Sequence, residues 1–181
     1  MGVRAALLAC GVAAASGGMP AVAAAQSCSA PIPAGSCTAS TTTTMNAGTV
    51  LQLTLAVSST ALTAPATADY DAGVVADNGP ATTVKSNRSW TLRIAAAAAA
   101  WTASNTQPGV AARVNKPASD LEWSTSPVGS FGGLTVGGVT AVTGGATSGT
   151  ATSFYFKTLY SWTLDTPGAY SLPVVFTLTA P

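Results

Sequence analysis

An all-β, antiparallel sandwich is the fold class the sequence predicts, and two observations carry that expectation. From Val50 onward, apolar and polar residues alternate with period two in one short segment after another, as in strands buried on one face. Turn residues separate those segments, and no long amphipathic helical pattern interrupts them.

The 181-residue chain opens on a stretch that predicts processing rather than folding. Met1-Gly2-Val3-Arg4 is a short positive region, Ala5 to Ala15 is apolar, and Ala23-Ala24-Ala25 is a small-residue cleavage site. Residues 1–25 are therefore expected to be a signal peptide removed before Gln26, too short and too rich in Gly and Ala to span a membrane. Residues 26–48 predict a flexible tail, because Ala30-Pro31-Ile32-Pro33 and the run Thr38 to Thr44 carry no apolar period. After cleavage the cysteines left are Cys28 and Cys37, and in an exported chain such a pair predicts a disulfide that staples the tail. The sandwich domain is expected over 49–181.

Within it, Leu51, Leu53, Leu55 and Val57 alternate with Gln52, Thr54, Ala56 and Ser58, predicting a first strand. Beyond Pro65, Asp69 to Val75 predicts a short strand, followed by a turn at Asn78-Gly79-Pro80. Thr82 to Ser86 and Trp90 to Ala95 predict strands flanking Asn87-Arg88, the second placing Trp90, Leu92 and Ile94 on one face. The alanine run Ala95 to Ala100 favours helix but is short and uncapped, so a strand end running into a loop, or one helical turn, is expected. Gln107-Pro108-Gly109 predicts a turn, Leu121 and Trp123 a strand face, and Leu134 to Val142 a hairpin across Gly137-Gly138.

The last expectation is a C-terminal hairpin from Phe154 to Pro181. Its first arm aligns Phe154, Phe156, Tyr160, Trp162 and Leu164; its second aligns Tyr170, Leu172, Val174, Phe176 and Leu178. Thr166-Pro167-Gly168-Ala169 would turn between them. Core packing is expected for Trp90 and Trp162 from their parity. Seven or more short strands with this punctuation make the sandwich immunoglobulin-like. Pro173 lacks an N–H, so the final strand should lie at, or begin at, a sheet edge. Such an edge invites pairing with another strand unless something covers it.

Little catalytic chemistry is on offer. The chain has no histidine, which removes Ser-His-Asp and Cys-His activation and the commonest transition-metal ligand. Phosphate-loop, dinucleotide and nucleophile-elbow motifs are absent from the sequence. Six carboxylates remain, Asp69, Asp71, Asp77, Asp120, Glu122 and Asp165. Asp120 and Glu122 share a parity and are expected on a solvated strand face rather than as a glycosidase pair. Asp69-x-Asp71-x-Gly73 with Asp77 and Asn78 offers a partial calcium-ligand set without the closing glutamate of an EF-hand loop, and turn chemistry explains it equally well. Asn87-Arg88-Ser89 is formally a glycosylation sequon in which turn geometry is the expected reason for the asparagine. No enzyme activity, cofactor or metal is expected.

With 7% charged residues and a formal net charge of +1, the chain lacks the basic patch a nucleic-acid binder needs, and nothing favours anionic lipid. Its hydroxyl-rich surface suits an extracellular structural or carbohydrate-contacting module.

Two segments carry a family resemblance. Trp90-Thr91-Leu92, within Asn87 to Ile94, is similar to the proximal Trp-x-Leu motif of WxL domains, secreted modules that attach to the bacterial cell wall. Tyr170 to Pro181 resembles that family's closing motif, with Phe176 where the family has Trp and Val174-Val175 in place of Leu-Thr. The resemblance implies a secreted, cell-surface, non-catalytic module whose partner is wall polymer or other surface proteins, with Trp90, Leu92, Tyr170, Phe176 and Leu178 as its binding residues. Asp165 to Tyr170 also resembles the turn-plus-tyrosine ending of pilin-like secreted sandwiches. That likeness implies a tyrosine bonded to upstream backbone and, as the alternative function, a self-associating surface-layer or fibre subunit.

Overall fold

Ten strands follow one another between Leu51 and Thr179 in the computed structural model, which describes residues 37–181. The expected signal peptide, most of the expected tail and Cys28 lie outside the described residues, and the Cys28–Cys37 bond with them. Residues 37–46 carry no regular secondary structure, and Ala47–Pro181 forms a compact unit. Both cysteines fall outside that unit, so Cys28→Ser combined with Cys37→Ser should leave its melting midpoint within about 2 °C of the parent's. Thermal denaturation checks this, and intact mass with and without reductant checks the bond.

The protein is all-β with antiparallel pairing throughout. In chain order the strands are β1 (Leu51–Leu55), β2 (Val74–Ser86), β3 (Trp90–Ala96), β4 (Thr102–Ser104) and β5 (Leu121–Ser124). They continue as β6 (Gly132–Gly133), β7 (Val139–Gly144), β8 (Thr147–Leu159), β9 (Ala169–Ser171) and β10 (Val174–Thr179). One sheet runs β1-β2-β8-β5-β6, a second β10-β3-β7, and a third pairs β4 with β9. Alternation sorts the side chains as expected on the central strands β2, β3 and β8, whereas on β1 Leu51 and Leu55 stay exposed and Leu53 is half-buried. Val84, Leu121, Phe154 and Phe156 from the first sheet and Trp90, Leu92 and Ile94 from the second are buried in one core. Phe154 meets the β10 residue Phe176 edge-on at 4.9 Å, linking the two sheets.

Trp90 shows how tightly that core is fitted. Its indole N–H donates to the Gly145 carbonyl at 2.8 Å, and a Cβ on Gly144 would lie 2.6 Å from its Cζ2. Gly144→Ala should therefore destabilise by about 1–3 kcal/mol through overpacking, read as a lower urea midpoint.

The C-terminal hairpin does not form. β8 pairs with β2 and β5, whereas β10 pairs with β3, so the two expected arms belong to different sheets. Period-two alternation states which face a strand buries and leaves its neighbour open. The first arm also stops at Leu159. Beyond it the chain folds back, with the Ser161 N–H donating to Asp165 Oδ2 at 2.8 Å and the Asp165 N–H to the Ser161 carbonyl at 2.9 Å. That fold-back carries Trp162 and Leu164 out of the core to 59% and 55% exposure, correcting the buried position expected for Trp162. Phe154 and Phe156 are buried as expected, and the alternate residues of the second arm pack against the core.

Three further expectations change. Of Asp69 to Val75 only Val74 and Val75 are strand, opening β2; before them Thr67–Ala72 forms a helical turn, α1, with the Ala66 N–H donating to Asp69 Oδ2 at 2.8 Å and Gly73 closing it at φ 73. Asn78-Gly79-Pro80 is not a turn but a register shift inside β2, where Gly79 admits the Phe154 carbonyl and the Phe156 ring. Leu134 to Val142 turns at Gly138, whose φ is 64, but makes no hairpin, because β7 pairs with β3 and it is β6 that pairs with β5.

The edge expectation for Pro173 is met: β10 begins directly after it and is the outer strand of its sheet. At the opposite sheet's edge, Asn87 anchors the approach to β1. It accepts the Val50 N–H at 2.9 Å and donates to the Gly48 carbonyl at 2.8 Å. This local bonding gives the sequon asparagine a structural role.

Candidate functional site

In a chain this poor in charge, four ionic side chains converge. Lys116 and Asp120 sit four residues apart across the 3-10 turn Ala118–Asp120, Arg113 precedes them, and Asp165 arrives on the fold-back after β8. Lys116 is 2% exposed. Its Nζ donates to the Leu159 carbonyl at 2.6 Å, Asp165 Oδ1 at 3.0 Å and Asp120 Oδ2 at 3.2 Å. Arg113 Nη1 donates to the same two carboxylates, at 2.9 Å to Asp165 Oδ1 and 3.4 Å to Asp120 Oδ2. Burial alone would push the Asp165 carboxyl up; the hydrogen bonds from Lys116 and Arg113 outweigh it and hold the group below its usual value. The Lys116 ammonium also lies 5.0 Å from the centre of the Tyr160 ring, and burial pushes that phenol up to about 12. Asp120 is thus part of an ion cluster, not one of a solvated pair with Glu122.

Beside the cluster lies a cavity of about 870 Å³, lined among others by Trp101, Phe156, Thr158, Tyr160 and Tyr170, with Lys116 and Asp165 in its wall. Residues 55 and 57–65 form another part of the lining. The Thr158 hydroxyl is buried there with no hydrogen-bond partner among the described residues.

At the rim α1 and the fold-back build an aromatic platform. The Trp162 indole stacks on Tyr70 with ring centres 4.6 Å apart and planes 30° apart, and Tyr70 leans on Tyr160 at 5.5 Å. Asp71 accepts the indole N–H at 3.0 Å, fixing the ring's orientation while one face stays open to solvent.

The five residues expected to bind are distributed differently. Trp90 and Leu92 are 2% and 0% exposed, which places them in the core rather than on a binding surface. Leu178 pairs with Leu92 and Phe176 with Ile94, so the motif residues hold β10 against β3. Tyr170 makes the expected contact to upstream backbone, donating to the Thr166 carbonyl at 2.6 Å and accepting the Arg113 N–H at 3.0 Å. Tyr170 and Phe176 also line the cavity.

The partial calcium set is dispersed. Asp69 bonds to the start of α1, Asp71 to Trp162, and Asp77 to Thr63, whose hydroxyl donates at 2.6 Å. Among the described residues no three His, Cys, Asp or Glu side chains converge on a metal position, and no helix is long and apolar enough to cross a membrane. Sequence reasoning missed Arg113 and Lys116. Their signal was density: Arg113, Lys116 and Asp120 put three scarce charges within one short segment.

No protein-family model and no curated protein matches this chain.

Proposed function

We propose that the domain is an immunoglobulin-like sandwich working as an exported, non-catalytic module that adheres to cell-wall polymer, as the WxL resemblance implies, through glycan stacking. The observation that supports this reading is the solvent-exposed indole of Trp162 held flat on Tyr70. A sugar ring presents an apolar face of C–H groups, and a rigid aromatic surface with one free side accepts it at little conformational cost. The anchoring bond to Asp71 removes the rotamer freedom that binding would otherwise have to freeze. Purified protein should cosediment with isolated cell walls, and Trp162→Ala should weaken that binding at least about tenfold, the loss of roughly 1.4 kcal/mol. Wall binding unchanged in a folded Trp162→Ala variant would remove the platform from the site.

A second reading, self-association by strand addition, is favoured by β10, an edge strand with Val175 exposed. Light scattering in the absence of walls tests it: growth in mass with concentration supports a structural subunit. A strict monomer that binds no walls would overturn both readings.

A further inference from the structure

We propose that Lys116 and Asp165 condense into an intramolecular amide, with Asp120 carrying the protons and Arg113 holding the developing oxyanion. The inference is independent of what the module binds. It starts from placement: of the chain's lysines, Lys85 is exposed and Lys157 half-buried over the Phe131 ring, whereas Lys116 is enclosed together with a carboxylate. The two side chains are 2% and 3% exposed, and Nζ lies 3.0 Å from Asp165 Oδ1. An amine that close to a carboxylate oxygen is within about 4 Å of the carboxyl carbon, near the roughly 3–3.5 Å of a reacting pair.

The other two members of the cluster stand where such a reaction needs them. Asp120 Oδ2, 3.2 Å from Nζ, accepts a proton from the ammonium and leaves a free amine. Asp120 hands that proton to Asp165 Oδ2, and the lone pair of the Lys116 amine then attacks the neutral carboxyl carbon of Asp165. Negative charge collects on Oδ1, where Arg113 Nη1 already donates at 2.9 Å. Asp120 then takes the second amine proton and passes it on as the bond between the Asp165 carboxyl carbon and its Oδ2 breaks. The nitrogen has lost two protons, the leaving oxygen has gained two, and one water departs; no oxidant or other reactant enters.

Burial supplies the driving force. Condensation in water is opposed by the solvent, but here the expelled water leaves an enclosed site. Four charges crowd the cluster before the reaction and two after it, Arg113 and Asp120, which are already paired. Removing a buried ion pair removes its desolvation penalty as well. The product ties the segment before β5 covalently to the fold-back after β8, beneath the aromatic platform.

The test is mass spectrometry of protein recovered after export from the full-length chain and then reduced. Proteolysis should yield a branched peptide joining Lys116 to Asp165, lighter than its two linear parts by one water, about 18 Da. Reading the branched peptide separates this loss from cyclisation of an N-terminal glutamine. Lys116→Arg, which keeps a buried cation, should give only linear peptides, and Asp120→Asn should form the branch at least tenfold more slowly. Folded parent protein whose Lys116 and Asp165 appear only in unmodified linear peptides would overturn the proposal and leave the cluster ionic. A branch that forms as fast in Asp120→Asn would overturn the role given to Asp120.

Discussion

Phe154→Ala should destabilise the domain by about 3–5 kcal/mol, the range for removing a fully buried aromatic ring. Phe154 sits on β8, which has β2 on one side and β5 on the other, so its position is fixed from both. Its ring touches Trp123 within its own sheet at 5.9 Å and Phe176 of the facing sheet at 4.9 Å. Deleting it opens a void that neither sheet can close without moving its backbone, so the cavity adds to the lost transfer energy. Urea denaturation followed by tryptophan fluorescence reads the loss directly. Trp162→Ala is the internal control: a larger residue, but exposed, with an expected change below about 1 kcal/mol. Equal losses at the two positions would contradict the burial pattern on which the site rests.

The two aromatics also show where the sequence was legible. Which residues of a strand turn inward is a local property, and the alternation of Trp90, Leu92 and Ile94, or of Phe154 and Phe156, states it directly. Which strand lies alongside is a non-local property, decided by the shared core, so β8 and β10 read as a hairpin although they face each other across it. Trp162 kept the parity of β8 on paper. The strand had already ended, because Asp165 must return to its buried partners, and nothing near Trp162 in sequence announces that demand. The helical turn α1 was hidden for a related reason. Ala66 is not a capping residue, so Asp69 reads as a turn former until its bond to the Ala66 N–H is seen. Three of the four members of the ion cluster were open to inspection, in the spacing of Arg113, Lys116 and Asp120. Asp165 joins from a distant stretch and had no local mark.

Lys116→Ala carries the other large expected loss, about 3–5 kcal/mol at neutral pH, because it strips one partner from a buried charged group. Asp165 and Asp120 would keep Arg113 but lose the ammonium between them, and the Leu159 carbonyl would lose its 2.6 Å bond. The same substitution should make the protein more sensitive to acid. Asp165 in the folded protein is held below its usual value of 3.8: burial works upward, and hydrogen bonds from Lys116 and then Arg113 overcome it. A depressed folded value means a contribution fully present well above pH 3.8 and lost as pH falls through the folded value, since the unfolded chain binds the proton more readily. Removing Lys116 takes away the foremost lowering influence, so the folded value rises and acid unfolding should begin at a higher pH than in the parent. The direction is the same if the parent is condensed, because its Asp165 then has no proton to take up. Circular dichroism along an acid titration, with Lys85→Ala as an exposed-lysine control, measures the displacement. An acid midpoint unchanged by Lys116→Ala would show that the buried lysine does not hold Asp165, and the cluster would lose its place at the centre of the site.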